Sequence, residues 1–193
     1  MSCILKSLIA TLCGYFIVGT SSAAEPVSIN FDAENPPFMY IKNGKAAGIY
    51  PEAIAAAMVA MGVSVTLDAK PWKRALAEID DGKSGIGGIY KNAERVQKYD
   101  FSDPFLTENI AVYFNKSKPI DFKTLADLHG KKIGVIRGWS YGDAFDTARR
   151  TGTTIHVEEV NGDRANLMKL SEGRLDAVLS IEESGQAIIA EAK

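Results

Sequence analysis

Short β-rich runs alternate with helix-patterned stretches along most of the chain. Residues 27–31, 63–67, 85–90 and 110–114 read as strands, and residues 51–61 and 71–79 as helices between them. Pro51 sits in the first turn of one helix, and Gly62 and Gly82 stand just past the two helix ends, where a stop is expected. Residues 32–47, rich in Pro, Asn and Gly, read as a loop. Residues 115–119 are a polar break, after which the rhythm restarts. A short helix over 122–128 leads to strands at 132–136, 155–160 and 175–181, with helices at 141–150, 163–172 and 182–192. Strands separated by helices of this length predict an α/β chain with mainly parallel sheets flanked by helices. Two such sets predict two lobes, 25–114 and 120–193, joined by a hinge at 115–119.

The first 24 residues follow a different pattern. Lys6 is their one charge, residues 8–18 are apolar or small, and Ser22 and Ala24 stand where a cleavage site before Glu25 needs small side chains. The apolar stretch is short for a bilayer span, which takes about 20 residues. Residues 1–24 are therefore expected to be a secretory signal, and the remainder to be exported to the periplasm. Both cysteines, Cys3 and Cys13, fall in that leader, which removes thiol chemistry from the rest of the chain. With 22 basic against 24 acidic residues the net charge is −2, and no basic stripe suggests a nucleic-acid partner. His129 and His156 are isolated, so neither a metal site nor a cofactor is expected. Gly82-Lys83-Ser84 is preceded by Ala77 where a phosphate-binding loop needs glycine.

In open α/β sheets, ligands sit beyond the carboxyl ends of strands. Three loops occupy such positions. The loop after the first strand holds Asp32 and Asn35, and is equally open to being a solvated surface loop. The loop 87–95 pairs glycines, which let a ligand approach the backbone, with Arg95, whose guanidinium can hold a carboxylate through two parallel bonds. A surface ion pair is the plainer role for that arginine. The loop 136–141 places Ser140 to cap the next helix, whose first N–H groups favour an anion. Trp72 and Trp139 suit either the walls of a ligand site or the core.

The stretch Trp72-Lys-Arg-Ala-Leu, Gly88-Ile-Tyr-Lys-Asn-Ala-Glu-Arg95 and Tyr99-Asp-Phe-Ser-Asp-Pro-Phe105 resembles family 3 extracellular solute-binding proteins of ABC importers. Pro37-Phe38, Gly48-Ile-Tyr-Pro-Glu52, Asp127-Leu-His-Gly-Lys-Lys-Ile-Gly-Val135 and Glu172-Gly-Arg-Leu-Asp-Ala-Val178 extend the match. The resemblance implies a two-lobed periplasmic-binding fold of type II that acts without catalysis. It would close by a hinge on a small, amino-acid-like carboxylate, as a monomer serving an inner-membrane permease. It implies that Arg95 holds the ligand carboxylate, helped by Ser140, and the neighbouring Trp139 and Tyr141 are expected to touch the ligand as well. Gly88 and Tyr90 would offer further contacts, Trp72 an aromatic wall, and Asp32 and Asn35 contacts to the ligand amine or side chain.

Three departures qualify these expectations. Asn92 replaces the family's usual Thr three residues before the arginine. Ile181 stands where many amino-acid binders carry the acid that holds the α-amine, with Glu182 one step on. The family usually continues past this chain's last helix and returns to the first lobe, so the C-terminal part is expected to be missing or shortened. A dehydratase-like enzyme on cyclic carboxylates, with Glu34, Lys91 or Glu182 as acid or base, and a stand-alone or sensor binding protein are the alternatives.

Overall fold

The computed structural model describes residues 25–151 and 155–192; the expected leader, 1–24, lies outside the described residues. β1 (Val27–Asp32) is the centre of a parallel sheet in the order β5-β1-β6, with β5 (Val65–Lys70) and β6 (Gly85–Ile86) at its edges. Its last four residues are buried, as the central strand of a helix-covered sheet requires. α1 (Ile49–Ala60) and α2 (Trp72–Asp80) are the helices of this lobe. The stretch expected to be a loop instead folds into an antiparallel meander of β2 (Glu34–Asn35), β3 (Met39–Lys42) and β4 (Lys45–Ala47). Asn43 and Gly44, at φ 52° and 74°, make the two-residue turn between β3 and β4.

The second lobe is a four-stranded sheet in the order β7-β10-β8-β9. Its strands are β7 (Ile110–Phe114), β8 (Lys132–Ile136), β9 (His156–Val160) and β10 (Ala177–Ile181). α3 (Asp143–Arg150), α4 (Asp163–Ser171) and α5 (Glu182–Glu191) are its helices. The expected lobe boundary shifts here. β7 pairs antiparallel with β10 from Ile110↔Ile181 to Phe114↔Ala177 and belongs to the second sheet. Every residue of β10 is buried, and β7 satisfies the edge that β8 leaves open. The chain therefore crosses between lobes just before β7: Glu108 still bonds Tyr90 of lobe 1, and the Asn109 carbonyl already accepts the Glu182 N–H of lobe 2 at 2.9 Å. Residues 115–118 form a tight turn inside lobe 2, closed by Lys118 N–H on the Asn115 carbonyl at 2.8 Å. The short helix expected over 122–128 narrows to a 3-10 turn, Leu125–Leu128, because Thr124 and Asp127 cap it reciprocally.

Lobe 2 has its own core, built on Leu128, Ile133, Val135, Phe145 and Leu179. The core of lobe 1 does not stop at the lobe edge. Phe31, Phe38, Met39, Tyr50 and Trp72 form one cluster with Ile136, Trp139 and Ile181 of lobe 2.

Gly48 joins the meander to α1 at φ 114°, and a Cβ there would lie 2.6 Å from the Phe38 carbonyl oxygen. Both backbone strain and a backbone clash follow, so Gly48→Ala should cost about 2 kcal/mol or more and lower Tm by roughly 4–8 °C in a thermal melt.

Candidate functional site between the lobes

The site forms where the carboxyl ends of β1 and β8 face one another across the lobes. β1 delivers Asp32, the start of α2 delivers Trp72, and the 3-10 turn Arg95–Gln97 delivers Arg95. The loop from β8 to α3 brings Gly138, Trp139, Ser140 and Tyr141 from the other side. Asn92 couples the two halves. Its side-chain Oδ1 accepts the Arg95 backbone N–H at 2.8 Å, fixing the start of that turn, and its Nδ2 donates to Ser140 Oγ at 3.0 Å.

The lobes are closed on each other through polar as well as apolar contacts. Trp139 Nε1–H donates to Asp32 Oδ2 at 2.8 Å. The Gly138 carbonyl accepts from Trp72 Nε1 at 3.1 Å and from Arg95 Nη2 at 2.9 Å. Ser184 Oγ donates to Asn35 Oδ1 at 2.6 Å, and Ala93 N–H to Asp143 Oδ1 at 3.1 Å. Beside this contact lies a cavity of about 170 Å³ whose lining includes Asn92, Arg95, Trp139, Ser140, Asp146 and Arg149.

Arg95 is the unusual charge of the site. It is 8% exposed and, among the described residues, forms no ion pair. Its Nη1 and Nη2 donate to the Tyr90 and Gly138 carbonyls instead. Burial lowers its pKa, the expected direction for a desolvated cation. The acids around it are already engaged. Asp146 accepts from Ser140 Oγ and pairs with Arg149 at 3.2 Å. Glu94 pairs with Arg150 at 3.3 Å, and Asp80 with Lys98 at 3.5 Å. Asp32 is fully buried, and desolvation raises its pKa to about 7 against the opposing pull of the Trp139 hydrogen bond.

Of the residues expected at the site, Arg95, Trp139 and Ser140 line this cavity. Asp32, Asn35 and Trp72 lie behind it, in the contact between lobes. Trp72 and Trp139 do not sandwich an open space: their rings meet each other nearly edge to face, with centroids 6.1 Å apart. Gly88 and Tyr90 line a separate apolar groove on lobe 1, and a Cβ on Gly88 would strike the Tyr50 ring and Met39 sulfur within 2.9 Å. The Tyr90 hydroxyl is taken by Glu108, and the Tyr141 hydroxyl accepts the Ile136 N–H at 2.7 Å. Ser140 is not a helix cap. Gly142 is the cap residue of α3, and the Ser140 hydroxyl reaches forward to Asp146 in the first turn. Ile181 is buried in the shared core, while the Glu182 carboxylate accepts from Gln186 at 3.1 Å on its own helix.

Asn92, Asp146 and Arg149 are the residues that sequence reasoning passed over. The replacement of Thr by Asn at 92 was the visible signal for the first. Asp146 and Arg149, three apart on a helix, carried no such signal, because that spacing also suits any exposed ion pair.

Two α/β lobes closed on a cavity that presents a buried arginine define a two-lobed binding protein of the type II periplasmic fold. Residues 27–169 match bacterial extracellular solute-binding proteins, family 3, and the chain belongs to that family. It is 29% identical to the L-cystine-binding protein TcyJ of Escherichia coli (strain K12) over 154 residues, 78% of this chain and 57% of that protein. It is 27% identical to the L-arginine-binding protein of Pseudomonas aeruginosa over 164 residues, 83% of this chain and 62% of that protein. The chain thus spans less than two thirds of the length of these relatives. The arginine-, lysine-, histidine-binding protein ArtJ of Geobacillus stearothermophilus superposes with a TM-score of 0.73 at 27% identity, covering 86% of this chain and 71% of that one.

The Asp32 carboxyl holds in the folded state a proton that the unfolded chain, at its ordinary value of 3.8, would release. Its contribution to stability is present at low pH and is lost as pH rises through about 7. Asp163, raised to about 6 by burial, acts in the same direction over a lower range. Denaturant melts should therefore show lower stability at about pH 8 than at about pH 5. Asp32→Asn keeps an acceptor for the indole and should flatten that slope by on the order of 2 kcal/mol. An unchanged slope would mean that Asp32 is already ionised in the folded protein.

Proposed function

We propose that this chain is an exported, non-enzymatic solute-binding component of an ABC importer that captures a small, amino-acid-like carboxylate between its lobes and presents the closed form to a membrane permease. The observation that carries this reading is Arg95, a buried guanidinium that faces an interlobe cavity and, among the described residues, forms no ion pair, the cavity's own acids being paired with other bases. A buried cation without an anion is costly, and a ligand carboxylate removes that cost by supplying charge-assisted, two-pronged hydrogen bonds. Asn92 and Ser140, one from each lobe and bonded to each other, stand beside the guanidinium as further polar partners. Because the cavity is walled by both lobes, its contacts exist in full only when they are closed. A ligand that uses them shifts the population toward closure. The cystine- and arginine-binding relatives support an amino-acid-like ligand and service to a transporter.

Titration against pooled amino acids and small carboxylates, followed by tryptophan fluorescence, tests the reading. The chain has two tryptophans, Trp72 and Trp139, and both lie at the interlobe contact. A saturable change is expected with an acid-containing pool. Arg95→Ala, confirmed as folded by circular dichroism, should weaken that binding roughly 100-fold or more. Unchanged affinity in the variant would remove Arg95 from the carboxylate site.

A further inference from the structure

Trp139 belongs to lobe 2 by chain position, yet it is 4% exposed and its surroundings are largely those of lobe 1. Its ring centroid lies 6.1 Å from that of Trp72 and 6.3 Å from that of Tyr90. Its N–H is spent on Asp32 at 2.8 Å, and the other Asp32 oxygen accepts the Glu34 N–H at 3.1 Å. Ile181, 1% exposed, closes the same region with hydrocarbon. The space left over is the 170 Å³ cavity at Arg95, smaller than the 300 Å³ or more typical of pockets for extended ligands.

We infer that Trp139 is a built-in occupant of the cleft that sets its specificity: it fills the room a long side chain would take and covers the Asp32 carboxylate that would hold a cationic end. The class of ligand that remains is a compact acid seated on Arg95, and extended basic amino acids are refused. This inference rests on the Arg95 reading for the compact acid, but the refusal of basic ligands is argued from Trp139, Asp32 and the paired cavity acids and does not need that reading. A guanidinium or ammonium group entering the closed site finds Asp32 already bonded twice and desolvated. The cavity acids Asp146, Glu94 and Asp80 are each paired with a base of this chain. Substituting the indole by a small group opens the volume and uncovers an acid in one step.

Isothermal titration with L-arginine and with succinate as probes tests this on the wild-type protein and on Trp139→Ala, with Trp139→Leu as a variant that keeps apolar burial. L-arginine should bind the wild type at least about tenfold more weakly than it binds either variant. Adding Asp32→Asn to the Trp139 variant should cancel the gain. Wild-type binding of L-arginine as tight as that of the variants, or folded variants that gain nothing, would overturn the gate. A gain that survives Asp32→Asn would overturn the role given to that carboxylate. Adding Arg95→Ala to the Trp139 variant separates the two readings. Retained L-arginine binding there would count against Arg95 as the carboxylate site while leaving the gate intact.

Discussion

The hydrogen bond from the Trp139 indole to Asp32 is the contact around which the two lobes are arranged. It joins the carboxyl end of β1 to the loop after β8 in a region that excludes water. Burying an indole of this size is worth about 5 kcal/mol as an upper figure, from roughly 200 Å² of surface at about 25 cal/mol per Å². Opening the lobes would expose that surface, unpair the Trp72 and Arg95 donors from the Gly138 carbonyl, and separate Ser184 from Asn35. Closure is thus stabilised by the chain itself, and not only by whatever enters the cavity. A ligand must compete with, or add to, a contact that already exists, and the population of open protein scales its apparent affinity.

The Gly138 carbonyl shows how such a closed state tolerates an unpaired buried cation. Its oxygen receives one donor from Trp72 and one from Arg95, much as a ligand oxygen would. A backbone dipole is a weaker partner than a carboxylate, so the guanidinium is held in place without being neutralised. Part of its donor fork remains for the cavity side, where Asn92 and Ser140 add polar groups of both lobes. Lysine could not divide its role in this way, because it lacks the planar, spread donor geometry.

How far this was legible in the sequence follows from the range of each interaction. Most strands and helices governed by local alternation, Pro51, Gly62 and Gly82 fell within two residues of where the pattern placed them, but the strand expected over 85–90 shrinks to Gly85–Ile86 and the one expected over 63–67 shifts to Val65–Lys70. The meander was missed although Asn43-Gly44 is the turn pair that most strongly marks a hairpin, because its strands are only two to four residues long and the prolines nearby read as loop. The place of β7 was not readable, since its partner β10 lies far along the chain and an apolar edge strand looks alike in either sheet. Arg95 and Ser140 stood out by residue type and loop position, and the structure brings them to one cavity. The fate of Trp139 was not readable at all. A tryptophan in that loop fits a ligand wall and a core equally well until the opposite lobe is in view.

The chain as a whole is slightly negative, at −2, so its long-range field does not gather anions. Exposed charges are screened beyond about 8 Å at physiological salt, which leaves recognition to groups at the cavity itself. There, Asp146, Glu94 and Asp80 are each answered by Arg149, Arg150 and Lys98, and those pairs cancel locally. Arg95 is the residue left over, and it is the most deeply buried of these bases. On the proposed reading, selectivity for an acid arises from the one guanidinium of this cavity that has no ion-pair partner among the described residues, placed by the Asn92 turn and bounded by the indole of Trp139. On that reading the site discriminates by what it leaves unpaired: a neutral ligand fails to satisfy the guanidinium, and a basic one meets no free acid.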